Sequence, residues 1–169
     1  MKERKVIAPE ALSSNTFEMI GKDWMLITAT DGEKTNTMTA SWGGFGVLWN
    51  KPVCFCFVRP QRYTHEFAEK SDKLTLSFFG GDYKKELGYC GRVSGRDTDK
   101  IADCGFGLIN DGNGYAYFDQ AKIVVCARKL YRDVLREDGF VDSGLLSNYS
   151  AGDYHTVYVC EIEKVLVTE

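Results

Sequence analysis

No glycine-rich phosphate turn occurs in this chain: neither GxGxxG nor GxxxxGKS/T can be found in it. A parallel nucleotide-binding sheet with regular strand–helix alternation is therefore not expected, and any nucleotide has to be held by side chains. Histidine is scarce, at two residues, and no CxxC pair is present. Without neighbouring histidines the six cysteines do not spell a zinc site. Four of them, Cys54, Cys56, Cys126 and Cys160, sit inside apolar strand-like runs, where a free thiol acts as a small hydrophobe. Cys90 and Cys104 flank a polar loop and are the better placed for reactivity, although reduced structural thiols are the expectation throughout. No Ser–His–Asp order, spaced carboxylate pair or metal cluster stands out, so any chemistry must come from a cofactor. No apolar stretch is long enough to span a membrane. The opening MKERKVIAPEALSS has charges with no apolar run behind them, so a signal peptide is not expected and the chain reads as cytoplasmic.

Linkers, internal repeats and low-complexity segments are also missing, and 169 residues suffice for one domain, residues 1–169, with a full core and no staples. Apolar residues make up 44% and aromatics 13%, the composition of a soluble globule rich in rings. The formal charge of −3 argues against bulk binding to nucleic acid.

The most informative stretch runs from Asn36 to Thr64, NTMTASWGGFGVLWNKPVCFCFVRPQRYT. Thr37, Thr39 and Ser41 alternate with Met38, Ala40 and Trp42. In a strand this alternation sends the apolar set into a core and leaves the hydroxyls on the other face. Val53 to Val58 does not alternate and reads as a strand buried on both sides. Pro60 ends it, having no N–H for a ladder. Arg59, Arg62 and Thr64 then stand at the start of a short helix, THEFAEK. Two guanidiniums at a helix N-terminus make an anion site, and the hydroxyl face with this corner is expected to grip one phosphorylated ligand.

In chain order, Lys2 to Phe17 reads as a polar lead-in tied down by Val6 and Ile7. Trp24–Thr30 and the strand from Thr35 form a hairpin about Asp31-Gly32. Gly43, Gly44 and Gly46 mark either a bulge with a close backbone approach or a barrel corner, before an Asn50–Pro52 turn. Lys73–Phe79 is a strand with Leu74, Leu76 and Phe78 on one face. Asp82 is expected to cap the helix DYKKELGYC, and Asp97 or Thr98 the helix DKIADC, which Gly105 stops. Asp111–Gly114 is a tight turn. Ala121–Val134 is a strand that becomes amphipathic, Asp138–Gly152 is loop-rich, and Tyr154–Val167 closes the fold. The fold class is mainly β: an antiparallel barrel, expected to be closed, with a few short inserted helices.

A phosphate monoester needs several short-range donors, and Thr39, Ser41, Arg59, Arg62, Thr64, Ser94 and Lys100 are available in three separate segments. Each alone is read first as a solvated side chain or a capped turn, ahead of any ligand role; their concentration at strand ends shifts the balance modestly towards one. His155, next to Asp153, is either a proton donor or hydrogen-bonding partner to a redox ring or a surface histidine. His65 reads as exposed. Trp42, Trp49, Tyr63, Phe79 and Tyr154 are open to stacking on a flat ring or to core packing.

NTMTASWGG, NKPVCFCFVRPQRYT, SGRDTDK and DYHTVYVCEIEKV, in this order, resemble the flavin reductase-like family with the FMN-binding split-barrel fold, and most of all its flavoredoxin branch. The likeness covers Asp23 to Val165. It implies a split barrel, a noncovalent FMN and a homodimer with the flavin near the subunit interface. By the same resemblance, Asn36, Thr37, Met38, Thr39, Ala40 and Ser41 run along the ring and ribityl chain. Arg59, Arg62, Tyr63 and Thr64, with Ser94 and Lys100, hold the phosphate, and His155 serves as the catalytic residue near the redox face. Electrons then pass from NADH or NADPH through FMN to a small-molecule or protein acceptor, or the protein is an electron carrier that does not oxidise nicotinamide itself. No metal, nucleic acid or membrane is expected.

Overall fold

A computed structural model of the protein describes residues 2–168. Arg4–Ile7 forms β1, Met25–Thr30 β2, Thr35–Ala40 β3, Gly43–Leu48 β4, Lys51–Val58 β5 and Lys73–Phe78 β6. Ile123–Val134 and Thr156–Thr168 form the two long strands β9 and β10, while Leu108–Asn110 and Ala116–Phe118 make a separate hairpin, β7 and β8. Among the described residues three α-helices are inserted: α1 (Tyr63–Lys70), α2 (Lys84–Arg92) and α3 (Lys100–Asp103). The main sheet is antiparallel throughout, in the order β3-β2-β6-β9-β10-β5-β4, and β1 also pairs with β10. No described helix is long and apolar enough to cross a membrane.

The path begins and ends on strands that follow one another in sequence. Residues 41 and 42 alone join β3 to β4, so the sheet curls back on itself, yet no ladder links the two edges. The barrel is therefore split along this seam rather than closed as the strand pattern led us to expect. Inside it lies the main core, drawn from β2, β3, β5, β6, β9 and β10 and including Met25, Ile27, Leu76, Phe78, Val125 and Tyr158. A second core, with Leu26, Phe79, Leu87, Phe106 and Phe118, fills the space under α2 and the small hairpin.

Several local expectations hold. The β2–β3 hairpin pairs Thr30 with Thr35, Leu74, Leu76 and Phe78 are buried, and the lead-in is fixed by β1, with Val6 itself exposed. Gly43 is a place of close backbone approach, since a Cβ there would lie 3.0 Å from the Phe55 carbonyl oxygen. The glycines nonetheless belong to strand β4, and the turn falls on Trp49 and Asn50, with φ of 53° and 56°, the left-handed pair of a two-residue hairpin loop. Pro52 is tolerated inside β5 because β10 stops pairing at Val53.

Four expectations need correction. β5 is not buried on both sides: Cys54, Cys56 and Val58 face the core while Phe55 and Phe57 are half-buried on the other face. Asp82 does not cap α2; it pairs with Lys122 at 2.9 Å, and Tyr83 takes the cap position with φ 60°. Asp99, rather than Asp97 or Thr98, caps α3 by accepting from the Ala102 N–H at 3.1 Å. His65 is not free at the surface, because its Nε2 lies 2.9 Å from the Thr156 hydroxyl.

Candidate cofactor site

β3 enters this region buried on both faces, because α2 packs on the side where the hydroxyls were expected to stand open and α1 on the other. Thr37 is fully buried and donates to the Ile27 carbonyl at 3.1 Å, with the Thr28 hydroxyl 2.9 Å away. Thr39 donates to the Leu87 carbonyl of α2 at 2.6 Å. Met38 and Ala40 belong to the barrel core, so their side chains face away from any ligand on the helix side. Ser41 lies at the seam with Trp42, which is half-exposed rather than in the core. The alternation was legible in the sequence; the helix that covers its polar face was not.

The other end of β3 meets the arginine corner. Asn36 is buried and donates through Nδ2 to the Thr64 hydroxyl at 2.7 Å, which ties β3 to the first turn of α1. Tyr63 stands edge-on to Phe67 at 4.9 Å, with the Arg96 guanidinium 4.7 Å above its ring. Gly95 presses against this pair: a Cβ there would sit 2.0 Å from Asn36 Oδ1. Only a residue without a side chain fits, so Gly95 is a site residue that the SGRD segment contained but that the choice of Ser94 and Lys100 passed over.

Two cations meet at the C-terminal end of α2. Arg62 donates to the carbonyls of Gly91 at 2.8 Å and Cys90 at 3.3 Å. Lys100, only 3% exposed, donates to Cys90 at 3.1 Å and Val93 at 3.3 Å. The carbonyls that end a helix carry partial negative charge, which is what lets two cations gather here. Among the described residues neither has a carboxylate within ion-pair distance. Burial, with Arg62 close by, lowers the Lys100 ammonium to about 8, and burial likewise lowers Arg62. Lys100 keeps a third N–H free, and the Ser94 hydroxyl, which accepts from the Arg96 N–H at 3.2 Å, keeps its own proton to donate. Lys100, Asn36, Tyr63 and Gly95 border a cavity of about 710 Å³, to which the exposed Asp97 and Asp99 also contribute. Unmatched positive charge beside a cavity of this size fits a phosphorylated ligand.

Arg59 is not part of that corner. It pairs with Asp153 at 2.5 Å, donates to the Asn148 carbonyl at 2.9 Å and lies 5.1 Å over the Tyr149 ring. Asp153 also accepts from Gln61 at 2.6 Å. Beside them His155, 7% exposed, has Nδ1 2.8 Å from the Tyr149 hydroxyl and its ring 5.4 Å from that of Trp42. Burial and the nearby Arg59 lower His155 to about 4, so it is neutral at pH 7. Tyr149 was not foreseen, since nothing in its spacing marks it. Of the rings considered for stacking, Phe79 is core and Tyr154 stacks on Tyr149; Trp42 and Trp49 are the exposed ones.

The flavin reductase like domain matches residues 19–169. The chain belongs to this family. Solved structures share its fold. A flavin reductases-like enzyme from Shewanella baltica, described as an FMN-binding domain, aligns over 99% of this chain and 78% of its own with a TM-score of 0.70 and 15% identity. Flavoredoxin of Desulfovibrio vulgaris (Miyazaki F) aligns over 94% and 76%, TM-score 0.68, 19% identity. The styrene monooxygenase flavin reductase of Pseudomonas putida aligns over 87% and 80%, TM-score 0.63, 13% identity. No curated protein sequence matches the chain. At these identities the structures establish the split-barrel fold, and the family match establishes membership of the flavin reductase-like group.

Proposed function

We propose that this protein is an FMN-binding oxidoreductase that passes electrons from NADH or NADPH, through bound FMN, to a small-molecule or protein acceptor. The observation that carries the reading is the cation pair of half-buried Arg62 and buried Lys100, neither with a carboxylate partner among the described residues, with the lysine on the wall of a cavity of about 710 Å³. In this reading Lys100, with Arg62, Ser94 and Thr64 close by in the chain, holds the phosphate of FMN, Asn36 and Tyr63 shape the cavity wall, and the segment from Thr37 to Ser41 runs along the rest of the molecule. When bound, FMN supplies reversible uptake of electrons that no side chain here provides.

His155 is the residue we assign to the redox face. Neutral at pH 7 and fixed by Tyr149, it can hold a proton in one defined orientation while Arg59 lends positive charge nearby. A homodimer belongs to the same reading, with a second copy covering the exposed ring patch about β4: Val47 is 78% exposed and Trp49 54%, and Trp49 meets Tyr131 of β9. A cytoplasmic location is consistent with six free cysteines.

Flavoredoxins among the structural relatives favour a second reading, an FMN-containing electron carrier without its own nicotinamide oxidation. An absorbance spectrum of the purified protein, followed by anaerobic addition of NADH or NADPH, separates the two. A flavin spectrum that bleaches supports the reductase, and one that stays oxidised supports the carrier. Absence of flavin even after addition of FMN would refute both.

A further inference from the structure

Two thiols lie directly behind the cation pair. Cys90 is in the last turns of α2 and fully buried; Cys104, fourteen positions later, is the C-cap of α3 and half-buried. Their sulfurs are 3.7 Å apart, in van der Waals contact. A second cavity, of about 220 Å³, reaches Cys104 between Lys85, Glu86, Tyr89, Arg92 and Asp103. Besides its contact with Cys90, the Cys104 thiol donates a weak hydrogen bond to the Glu86 carbonyl at 3.7 Å. The remaining cysteines differ. Cys54, Cys56 and Cys160 cluster within 4.8 Å in the barrel core, but these and Cys126 are wholly buried, with no exposed member for an oxidant to meet.

The chain between the two thiols is the ligand loop itself. It carries Ser94, Gly95 and Lys100, and the carbonyl of Cys90 accepts from both Arg62 and Lys100. A bond between these sulfurs would close the ends of the segment that holds the anion corner. We propose that Cys90 and Cys104 are a redox-active dithiol, oxidised by a peroxide to a disulfide that closes this loop and tightens FMN binding. The coupling to FMN rests on the functional reading above; formation of the bond does not.

The chemistry balances with hydrogen peroxide as the oxidant. The Cys104 sulfur attacks one peroxide oxygen, the O–O bond breaks, and water leaves with the Cys104 proton, giving a sulfenic acid. The Cys90 sulfur attacks the Cys104 sulfur, the S–O bond breaks, and a second water leaves with the Cys90 proton. Two thiols lose two electrons, and one peroxide becomes two waters. The order follows from access and acidity. Burial raises Cys90 to about 12, whereas Cys104 is the half-exposed thiol, raised by burial but eased by its contact with Cys90. Closing the sulfur separation to about 2.05 Å needs side-chain rotation at Cys104 away from Glu86. Because the disulfide restrains the loop before the ligand arrives, less ordering remains for binding.

The test uses the full chain, reduced and then exposed to hydrogen peroxide. Differential alkylation with peptide mapping should find a Cys90–Cys104 bond that a small dithiol reverses. FMN titration by fluorescence should give a Kd about threefold or more lower for the oxidised protein, as expected for a pre-ordered loop. Cys104→Ser should keep the reduced protein's FMN affinity and lose the peroxide response; its half-exposed position makes it the safer variant should Cys90→Ser fail to fold. No bond in the map, or bonds to other cysteines instead, overturns the proposal. An unchanged Kd in the bonded protein, or the same shift in Cys104→Ser, overturns the coupling. If neither form binds FMN, the functional reading has failed, and the map alone decides whether the dithiol exists.

Discussion

Lys100→Met separates the ligand role of the cation pair from its role in folding, because the two effects have different signs. The lysine is buried among carbonyls with Arg62 beside it, and its fall from 10.5 to about 8 corresponds to about 3 kcal/mol of cost to the charged form at neutral pH. Its bonds to Cys90 and Val93, which the neutral amine also makes, return about 1–1.5 kcal/mol each. The two nearly cancel, so methionine, which fills the same space without a charge, should alter folding stability by about 1 kcal/mol or less. FMN affinity should fall by about 2 kcal/mol, roughly 30-fold, for the loss of one charge-assisted contact to phosphate. The pH dependence checks the assignment. Between about pH 8 and 10.5 the unfolded chain holds the proton that the folded chain has released. The lysine's cost to stability is therefore present below pH 8 and is relieved as the pH rises through that window. Binding runs the other way: wild-type affinity should hold to about pH 8 and decline above it, while that decline should be missing in Lys100→Met. Chemical denaturation and FMN titration across pH 6 to 10 measure both. A variant several kcal/mol less stable, or one with wild-type FMN affinity, would refute the reasoning.

Other perturbations probe the remaining parts. Arg62→Ala should weaken FMN binding by about 2 kcal/mol if the guanidinium meets the phosphate, and unchanged affinity would remove it from the site. Gly95→Ala places a Cβ 2.0 Å from Asn36 Oδ1, so it should destabilise the fold by about 1–3 kcal/mol and reduce FMN affinity; a neutral outcome in thermal melts would mean that the loop moves freely there. His155→Gln should change turnover or flavin reduction potential more than FMN retention, and a variant unaltered in both would show the histidine to be structural. His155 also contributes acid sensitivity. Its folded value of about 4 lies below 6.5, so the unfolded state takes the proton first and stability falls as pH drops from about 6.5 to 4. Discounted for residual solvation, this amounts to about 1–2 kcal/mol, which His155→Gln should abolish in denaturation curves at pH 4.5 and 7.

What was legible in the sequence follows the range of the interactions involved. The hairpin at Asp31-Gly32, the termination of β5 before Pro60 and the long closing strand are local matters of turn chemistry and alternation. The seam between β3 and β4 is not local. It depends on which edge strands find partners across the sheet, so a closed barrel and a split one share the same strand pattern. The site divides in the same way. Arg62, Thr64, Ser94 and Lys100 were chosen as donors near strand ends; the end of α2 brings Arg62 and Lys100 together at the Cys90 carbonyl, while Thr64 in the first turn of α1 is tied to Asn36. Thr37 also looked like a ligand hydroxyl, but it is buried and donates across the sheet to the Ile27 carbonyl of β2 instead. An open polar face cannot be told from a covered one by alternation alone.

Arg59 makes the sharpest case, because only two residues separate it from Arg62 and the two serve different ends of the site. Val58 closes β5, and the turn through Pro60 and Gln61 swings the chain towards α1. Before the turn, Arg59 remains beside β10 and pairs with Asp153, next to His155. After it, Arg62 points to the end of α2. Gln61 joins the halves: its amide donates to Asp153 and its carbonyl accepts from Arg96, whose guanidinium covers Tyr63. One short turn thus fixes the position of a phosphate corner relative to a histidine corner. Gln61→Ala would leave every cation in place and remove only the amide's hold on Asp153. FMN affinity should therefore change less than twofold, since about 0.4 kcal/mol separates twofold steps, while turnover or potential should shift through Arg59 and His155. If affinity fell while the redox behaviour stayed constant, the turn would belong to the phosphate corner alone.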